Sequence, residues 1–218
     1  MITSTDKKEY IVENLHHIYK VIVHNVKYLS KDRGALLNSA GCSLFLYHYY
    51  RIFGTDLAQQ TANEILGNLF ENNLNYSEEA PATISFCSGI LGTGWLALYI
   101  NQTGFNKYDE NLSELDDIAF RFFKRSLSIG NYDFLHGACG ALYYMLFREQ
   151  SRKTTAIIKK MLDLLVKAAY KKNDLLFWEF FDFTSLERKN NILNLGLSHG
   201  TPSVLAVLSK AHSVSENY

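Results

Sequence analysis

The sequence predicts an all-α fold built from a repeated helical unit. Only two prolines, Pro81 and Pro202, occur in 218 residues, so long stretches are free to be helical. Charged segments with apolar residues at helical spacing alternate with segments such as 34–50, 85–103 and 134–147, which contain no Lys, Arg, Asp or Glu. This alternation predicts pairs of helices that differ in their exposure to water.

Pairs of small residues, three positions apart, recur in the uncharged segments. The pairs are Ala40 and Ser43, Gly89 and Gly92, Gly137 and Gly140, and Gly200 and Ser203. Each pair precedes a run of large apolar side chains, and the pairs recur at intervals of roughly 50 to 60 residues. We therefore expect four copies of one supersecondary unit.

The charged segments are predicted to be amphipathic outer helices. They cover residues 6–22, 55–73, 113–127 and 154–171, and each precedes one uncharged segment. The uncharged helices would then form an inner layer that is touched by protein on most sides. Residues 173–183 form an aromatic insertion before the last inner helix, and we expect a lid or rim there, or a surface that packs on a neighbour.

Composition excludes several classes of protein and partner. Lys and Arg together number 22, as do Asp and Glu, so no net field attracts nucleic acid. Three cysteines and a charged N-terminal segment without a signal peptide favour a reduced, cytoplasmic protein. Glycine and amide residues in segment 85–103 argue against a membrane span. At this length we expect one domain, residues 1–218.

Two histidines precede inner helices and are candidates for proton transfer. His136 follows Asp133 by three positions, and His199 lies directly before Gly200. A histidine at such a position is most often structural, because imidazoles readily bond nearby carbonyl groups. Asp133 is likewise a candidate N-cap for the third inner helix. The residues alone leave both interpretations open.

Three glycine-containing segments resemble the repeated motifs of the lanthionine synthetase C-like cyclases. They are residues 88–95, Tyr132 and Asp133 together with 137–140, and residues 196–202. The resemblance implies an α/α toroid, in which an inner barrel of helices lies within an outer one. That family closes its toroid with seven hairpins and this chain supplies about four, so the expectation is an incomplete toroid that corresponds to the N-terminal part of a cyclase.

The resemblance also implies a reaction, the addition of a peptide cysteine thiol to a dehydroamino acid to form a thioether ring. His199 would be the general acid/base, and Asp133 would orient it or the substrate. We expect His136, Trp178 and Gly200 to contact the peptide. The resemblance implies a role in lantibiotic biosynthesis. Because the chain would be a truncated, split or degenerate cyclase, we expect it to be weakly active or inactive on its own.

Family members bind zinc through two cysteines and a histidine, and those motifs are not found in this sequence. Cys42, Cys87 and Cys139 are isolated in apolar runs, which is typical of buried free thiols. No metal ligand is therefore predicted, although a replacement site built from Cys139 with His136 or His199 stays an alternative.

Two further functional classes remain open. One is a non-catalytic module that binds a peptide or completes a partner's toroid, and the other is a carbohydrate-active α/α toroid, for which paired carboxylates are hard to find. An unclosed toroid exposes apolar helix faces, so self-association or a partner that completes the toroid is expected.

Overall fold

The protein is described by a computed structural model that covers residues 4–29, 37–72, 76–77, 79–104, 112–182, 185–190 and 192–215. Within these residues the chain forms α1 (Ser4–His24), α2 (Ser39–Phe53), α3 (Asp56–Asn72), α4 (Ile90–Thr103), α5 (Ser113–Ser128), α6 (Ala138–Met145), α7 (Arg152–Lys167) and α8 (Thr201–Ser215). Four short strands lie between α7 and α8: β1 (Tyr170–Lys172), β2 (Leu175–Phe177), β3 (Phe180–Asp182) and β4 (Glu187–Lys189).

The helices form two layers. In the inner layer α2 contacts α4, α4 contacts α6, and α6 contacts α8. In the outer layer α1 contacts α3, and α5 contacts α7. Outer helices also pack on inner ones, most extensively α3 on α2 and α5 on α6. The fold is all-α with two layers of helices, as the alternation of charged and uncharged segments predicts, and it is toroid-like, as the family resemblance implies.

Burial follows the charge pattern. The inner helix α6 buries seven of its eight residues. The outer helix α7 buries only one stripe, Thr154, Ile158, Met161 and Leu165, at helical spacing. No helix among the described residues is long and apolar enough to cross a membrane.

The first repeat begins two residues earlier than the small-residue pattern predicts. Helix α2 has Asn38 as its N-cap, with an extended backbone at φ −132°. Gly89 and Gly137 precede α4 and α6 with the same conformation, at φ −124° and −140°. In the first repeat, Asn38 and Gly41 therefore occupy the positions that the glycine pairs occupy in the later repeats. The assignment of the first pair to Ala40 and Ser43 is wrong.

The aromatic insertion is a pair of β-hairpins, which was not predicted. β1 pairs antiparallel with β2, and β3 pairs antiparallel with β4. The turn between β1 and β2 has positive φ at Asn173 (50°) and Asp174 (63°), which is the backbone that a two-residue hairpin requires. This hairpin also ends α7 at Lys167, earlier than expected. Phe183 lies outside the described residues.

A buried ionic cluster ties α5 to α6. The Asp116 carboxylate accepts hydrogen bonds from the Tyr144 hydroxyl at 2.9 Å and from Arg148 Nε at 2.7 Å. The Asp116 side chain is only 3% exposed, so the pair lies in a medium where an unpaired charge is costly. The cluster thereby fixes the position of the inner helix that follows the candidate site.

Candidate functional site

Two equivalent loops lead into the inner helices α6 and α8. Residues 131–137 and 194–200 each begin with asparagine and end with His-Gly. In each loop the asparagine carbonyl oxygen accepts the first N–H of the helix, and the asparagine side chain accepts the N–H two residues on. These bonds run from Ala138 N to Asn131 O (3.1 Å), Thr201 N to Asn194 O (3.0 Å), Asp133 N to Asn131 Oδ1 (3.2 Å) and Gly196 N to Asn194 Oδ1 (2.7 Å). His136 and His199 thus occupy the same position in successive repeats.

Close packing explains the glycine that follows each histidine. A Cβ atom at Gly137 would collide with the side chain and the carbonyl oxygen of Asn131. A Cβ atom at Gly200 would collide with the carbonyl oxygen of Asn194. The close approach holds each loop against the start of its helix and so fixes the backbone that carries each histidine.

Asp133 joins the two loops. Its side chain is 1% exposed, and Oδ2 lies 2.5 Å from His199 Nδ1. Its other oxygen, Oδ1, accepts the backbone N–H of His136 at 2.6 Å. Since a carboxylate oxygen accepts hydrogen bonds, this contact assigns a hydrogen to Nδ1 of His199.

Asp133 is therefore no helix cap. The N-cap of α6 is Gly137, which makes no side-chain cap bond. Instead, the Asp133 carboxylate bonds to the His199 ring in the neighbouring repeat. The His199 side chain is 42% exposed, so a buried carboxylate orients an imidazole that solvent can reach.

His136 lies beside His199. The two rings are nearly parallel, at an interplanar angle of 15°, and their centroids are 6.3 Å apart. Burial lowers the pKa of His136, the Asp133 carboxylate opposes this shift, and His199 adds to the lowering. The neutral form of the His136 imidazole is thereby favoured.

Trp178 and Gly200 line a small cavity together with the Asp133–His199 pair. Trp178 is 4% exposed, and its indole N–H donates to the Leu165 carbonyl oxygen at 3.1 Å. The Trp178 carbonyl oxygen accepts a hydrogen bond from the Thr201 hydroxyl at 3.2 Å, which anchors the hairpin segment to α8. The contacts expected between a peptide and Trp178, Gly200 or His136 stay predictions.

Two residues of the site are not identified by the sequence reasoning. Asn131, 7% exposed, holds the Asp133 loop, and its equivalence to Asn194 is the signal that could have found it. Glu179 lines the same cavity as Asp133, with a side chain 5% exposed. Glu179 Oε2 pairs with Arg188 Nε at 3.2 Å, so this second carboxylate is held by an ion pair across the second hairpin. Its signal in the sequence is an acidic residue flanked directly by Trp178 and Phe180.

The described residues do not fit the zinc site that family resemblance implies. Cys87 and Cys139 are buried and Cys42 is half-buried. Burial raises the pKa of all three thiols, and the Asp133 charge adds to the rise for Cys87 and Cys139. A zinc ligand must be a thiolate, which these surroundings disfavour. No three His, Cys, Asp or Glu side chains come together as a metal-ligand group in the described part of the chain, so the Cys139 alternative gains no support.

Comparison with known proteins gives one family. The sequence model of the lanthionine synthetase C-like protein family matches residues 38–218 of the chain. Comparison with the curated proteins finds no match. The matched region contains α2 to α8 and both histidine loops.

Proposed function

The chain belongs to the lanthionine synthetase C-like family, and from this we propose that it acts in peptide modification, on the addition of a cysteine thiol to a dehydroamino acid. The observation that carries the proposal is the hydrogen bond between the buried Asp133 and the accessible His199. A fixed carboxylate that orients an imidazole is the arrangement that general acid catalysis needs.

The addition needs a proton at one defined carbon. As the sulfur bonds to the β-carbon, the double-bond electrons shift toward the carbonyl group and form an enolate. In the proposed reaction, His199 donates a proton from Nε2 to the α-carbon, which completes the thioether. The 2.5 Å bond between Asp133 Oδ2 and Nδ1 holds the His199 ring in one orientation for this transfer.

The proposed step involves only residues of this chain. Zinc is the cofactor that the family resemblance implies, and when bound it would lower the pKa of the substrate thiol. Because the described residues do not fit its ligand set, no step here runs through a metal. We propose that the chain alone is a slow cyclase that retains the proton-donating half of the reaction.

The test is ring closure in a peptide that contains one cysteine and one dehydroalanine. Ring closure removes the thiol without a change of mass, so alkylation followed by mass spectrometry measures the closed fraction. His199→Asn should lower the rate by about 10²- to 10⁴-fold, because the proton donor is lost. His17→Asn, at an exposed histidine of α1, is the matched control and should leave the rate unchanged. An unchanged rate in His199→Asn would exclude the assigned role.

A second candidate function is a peptide-binding module without ring closure. It is favoured by the raised pKa of the Cys87 and Cys139 thiols and by the lack of a three-ligand metal group among the described residues. Such a module would bind the same peptide with unchanged affinity in wild type and His199→Asn, and neither protein would form a thioether.

A further inference from the structure

We propose that His136 is a second catalytic residue, the base that takes the proton from the substrate cysteine while His199 protonates the α-carbon. This inference rests on the proposed function. It assigns a separate residue to each of the two proton transfers of one addition, and it gives His136 a chemical role beyond peptide contact.

The repeat structure places the two imidazoles side by side. His136 and His199 occupy equivalent positions in loops 131–137 and 194–200, which explains why the rings are nearly parallel. A hydrogen bond links the loops directly, from Phe134 N to Ser198 O at 3.4 Å. The pair is therefore a consequence of the fold, and its spacing is set by the packing of neighbouring repeats.

The spacing lets one substrate reach both rings. In the addition, the sulfur and the α-carbon flank the β-carbon and lie roughly 3 Å apart. A base and an acid within hydrogen-bond reach of about 3 Å on either side would have nitrogens about 6 to 9 Å apart. With ring centroids 6.3 Å apart, the two imidazoles are close enough for one substrate to reach a nitrogen of each.

Asp133 contacts the two histidines in different ways. Asp133 binds a ring nitrogen of His199, whereas it accepts only the backbone N–H of His136. Partial burial lowers the pKa of His136 most, Asp133 opposes this shift, and His199 lowers the pKa further. The balance is a lowered pKa, which favours the neutral form of His136 that a base requires.

The reaction is balanced in protons and electrons. His136 takes the proton of the thiol, the sulfur electron pair forms the bond to the β-carbon, and the double-bond electrons form the enolate. The α-carbon then takes a proton from Nε2 of His199. One proton has moved from sulfur to carbon, and exchange with solvent returns each imidazole to its starting state. A base is needed because an ordinary thiol, with a pKa of about 8.5, is mostly protonated at pH 7.

The decisive experiment compares two nucleophiles in His136→Gln. With the cysteine peptide at pH 7, ring closure should fall by about 10²-fold, because the base is missing. With a selenocysteine peptide, whose selenol is ionised at this pH, the rate should stay within about threefold of wild type. His199→Asn should lower the rate with both peptides, because the α-carbon still needs a proton.

His48→Gln is the matched control. His48 is a half-buried histidine of the inner layer whose pKa is also lowered, first by burial and then by Arg51. His48 is on α2, and its Nε2 lies 3.2 Å from the Tyr99 hydroxyl oxygen. This variant should close rings at the wild-type rate with both peptides, and thermal unfolding of His136→Gln and His48→Gln checks that both fold.

The outcomes separate this inference from the proposed function. If His136→Gln behaves like His48→Gln, or loses activity equally with both peptides, His136 is not the base, while a defect in His199→Asn still supports the proposed function. If wild-type protein closes neither peptide, both are overturned. Loss of activity with cysteine alone supports the inference.

Discussion

Asp133 divides its two oxygens between a side chain and a backbone. Oδ2 binds the His199 ring and Oδ1 binds the N–H of His136, so one buried carboxylate fixes two histidines by different means. Its own loop is held by Asn131, which accepts the Asp133 N–H and donates to the His136 carbonyl oxygen at 3.2 Å. The candidate chemistry therefore depends on backbone geometry as much as on the choice of side chain.

The glycines after the two histidines should be intolerant of a single methyl group. Gly200→Ala and Gly137→Ala each place a Cβ against an asparagine backbone or side chain, so we expect a loss of about 2 to 3 kcal/mol of unfolding free energy. Urea-induced unfolding measures this loss.

Gly67→Ala is the control for this prediction. Nothing lies within 4 Å of a Cβ at Gly67, and the residue is inside α3, so alanine should stabilise by about 0.5 to 1 kcal/mol. Equal effects at Gly67 and Gly200 would show that helix propensity, rather than close packing, explains the glycine motif.

The pattern of residues identifies His199 and Asp133 only separately, and it is the family resemblance that implies a contact between Asp133 and either His199 or the substrate. The two residues are 66 positions apart, and the contact exists only because successive repeats pack side by side. Glu179 was missed for the same reason, since its approach to the cavity depends on a hairpin that the pattern of residues did not predict.

At the scale of elements, α5 and α6 are joined by the buried Asp116 cluster. Asp116→Ala leaves the Tyr144 hydroxyl and the Arg148 guanidinium without their acceptor, so we expect a loss of about 3 to 5 kcal/mol. Calorimetric unfolding should show a much lower melting temperature.

The neighbouring Asp117 supplies the control. Its pair with Lys153 is 3.4 Å long and both side chains are more than half exposed, so Asp117→Ala should cost less than about 1 kcal/mol. A comparable loss in the two variants would mean that the Asp116 cluster contributes nothing beyond an ordinary surface pair.

Element order was predictable because burial controls composition. Helices that are packed on most sides exclude charged residues, and amphipathic helices carry charged residues on their solvent-exposed face. Both layers could therefore be predicted from the sequence. The start of α2 was misplaced because Asn38 takes the position that glycine holds elsewhere, and a pattern of small residues cannot recognise asparagine as an N-cap.

At the scale of the whole molecule, an apolar groove of about 710 Å³ lies along α7 and the end of α8. Its lining includes Leu146, Ile158, Leu162 and Val214. The first outer helix, α1, exposes a further set of apolar side chains, Tyr10, Ile11, Ile18 and Val21. Two different apolar faces on one chain favour a head-to-tail contact between copies.

We therefore expect self-association at micromolar concentration, measured by light scattering. Leu162→Asp should shift the protein toward monomer, because it places a charge in the groove. Val166→Asp, on the same helix but 45% exposed and outside the groove lining, should leave the assembly intact. A wild-type protein that stays a uniform monomer would refute this expectation.

Since Asp133 and His199 come from successive repeats, neither repeat alone holds the pair. A chain cut at the exposed turn of Asn173 and Asp174 would leave the carboxylate on one fragment and the imidazole on the other. Mixing the fragments would restore proton donation only if the repeats dock in their native register. The rate of ring closure by the mixed fragments would therefore measure whether the two repeats have assembled correctly.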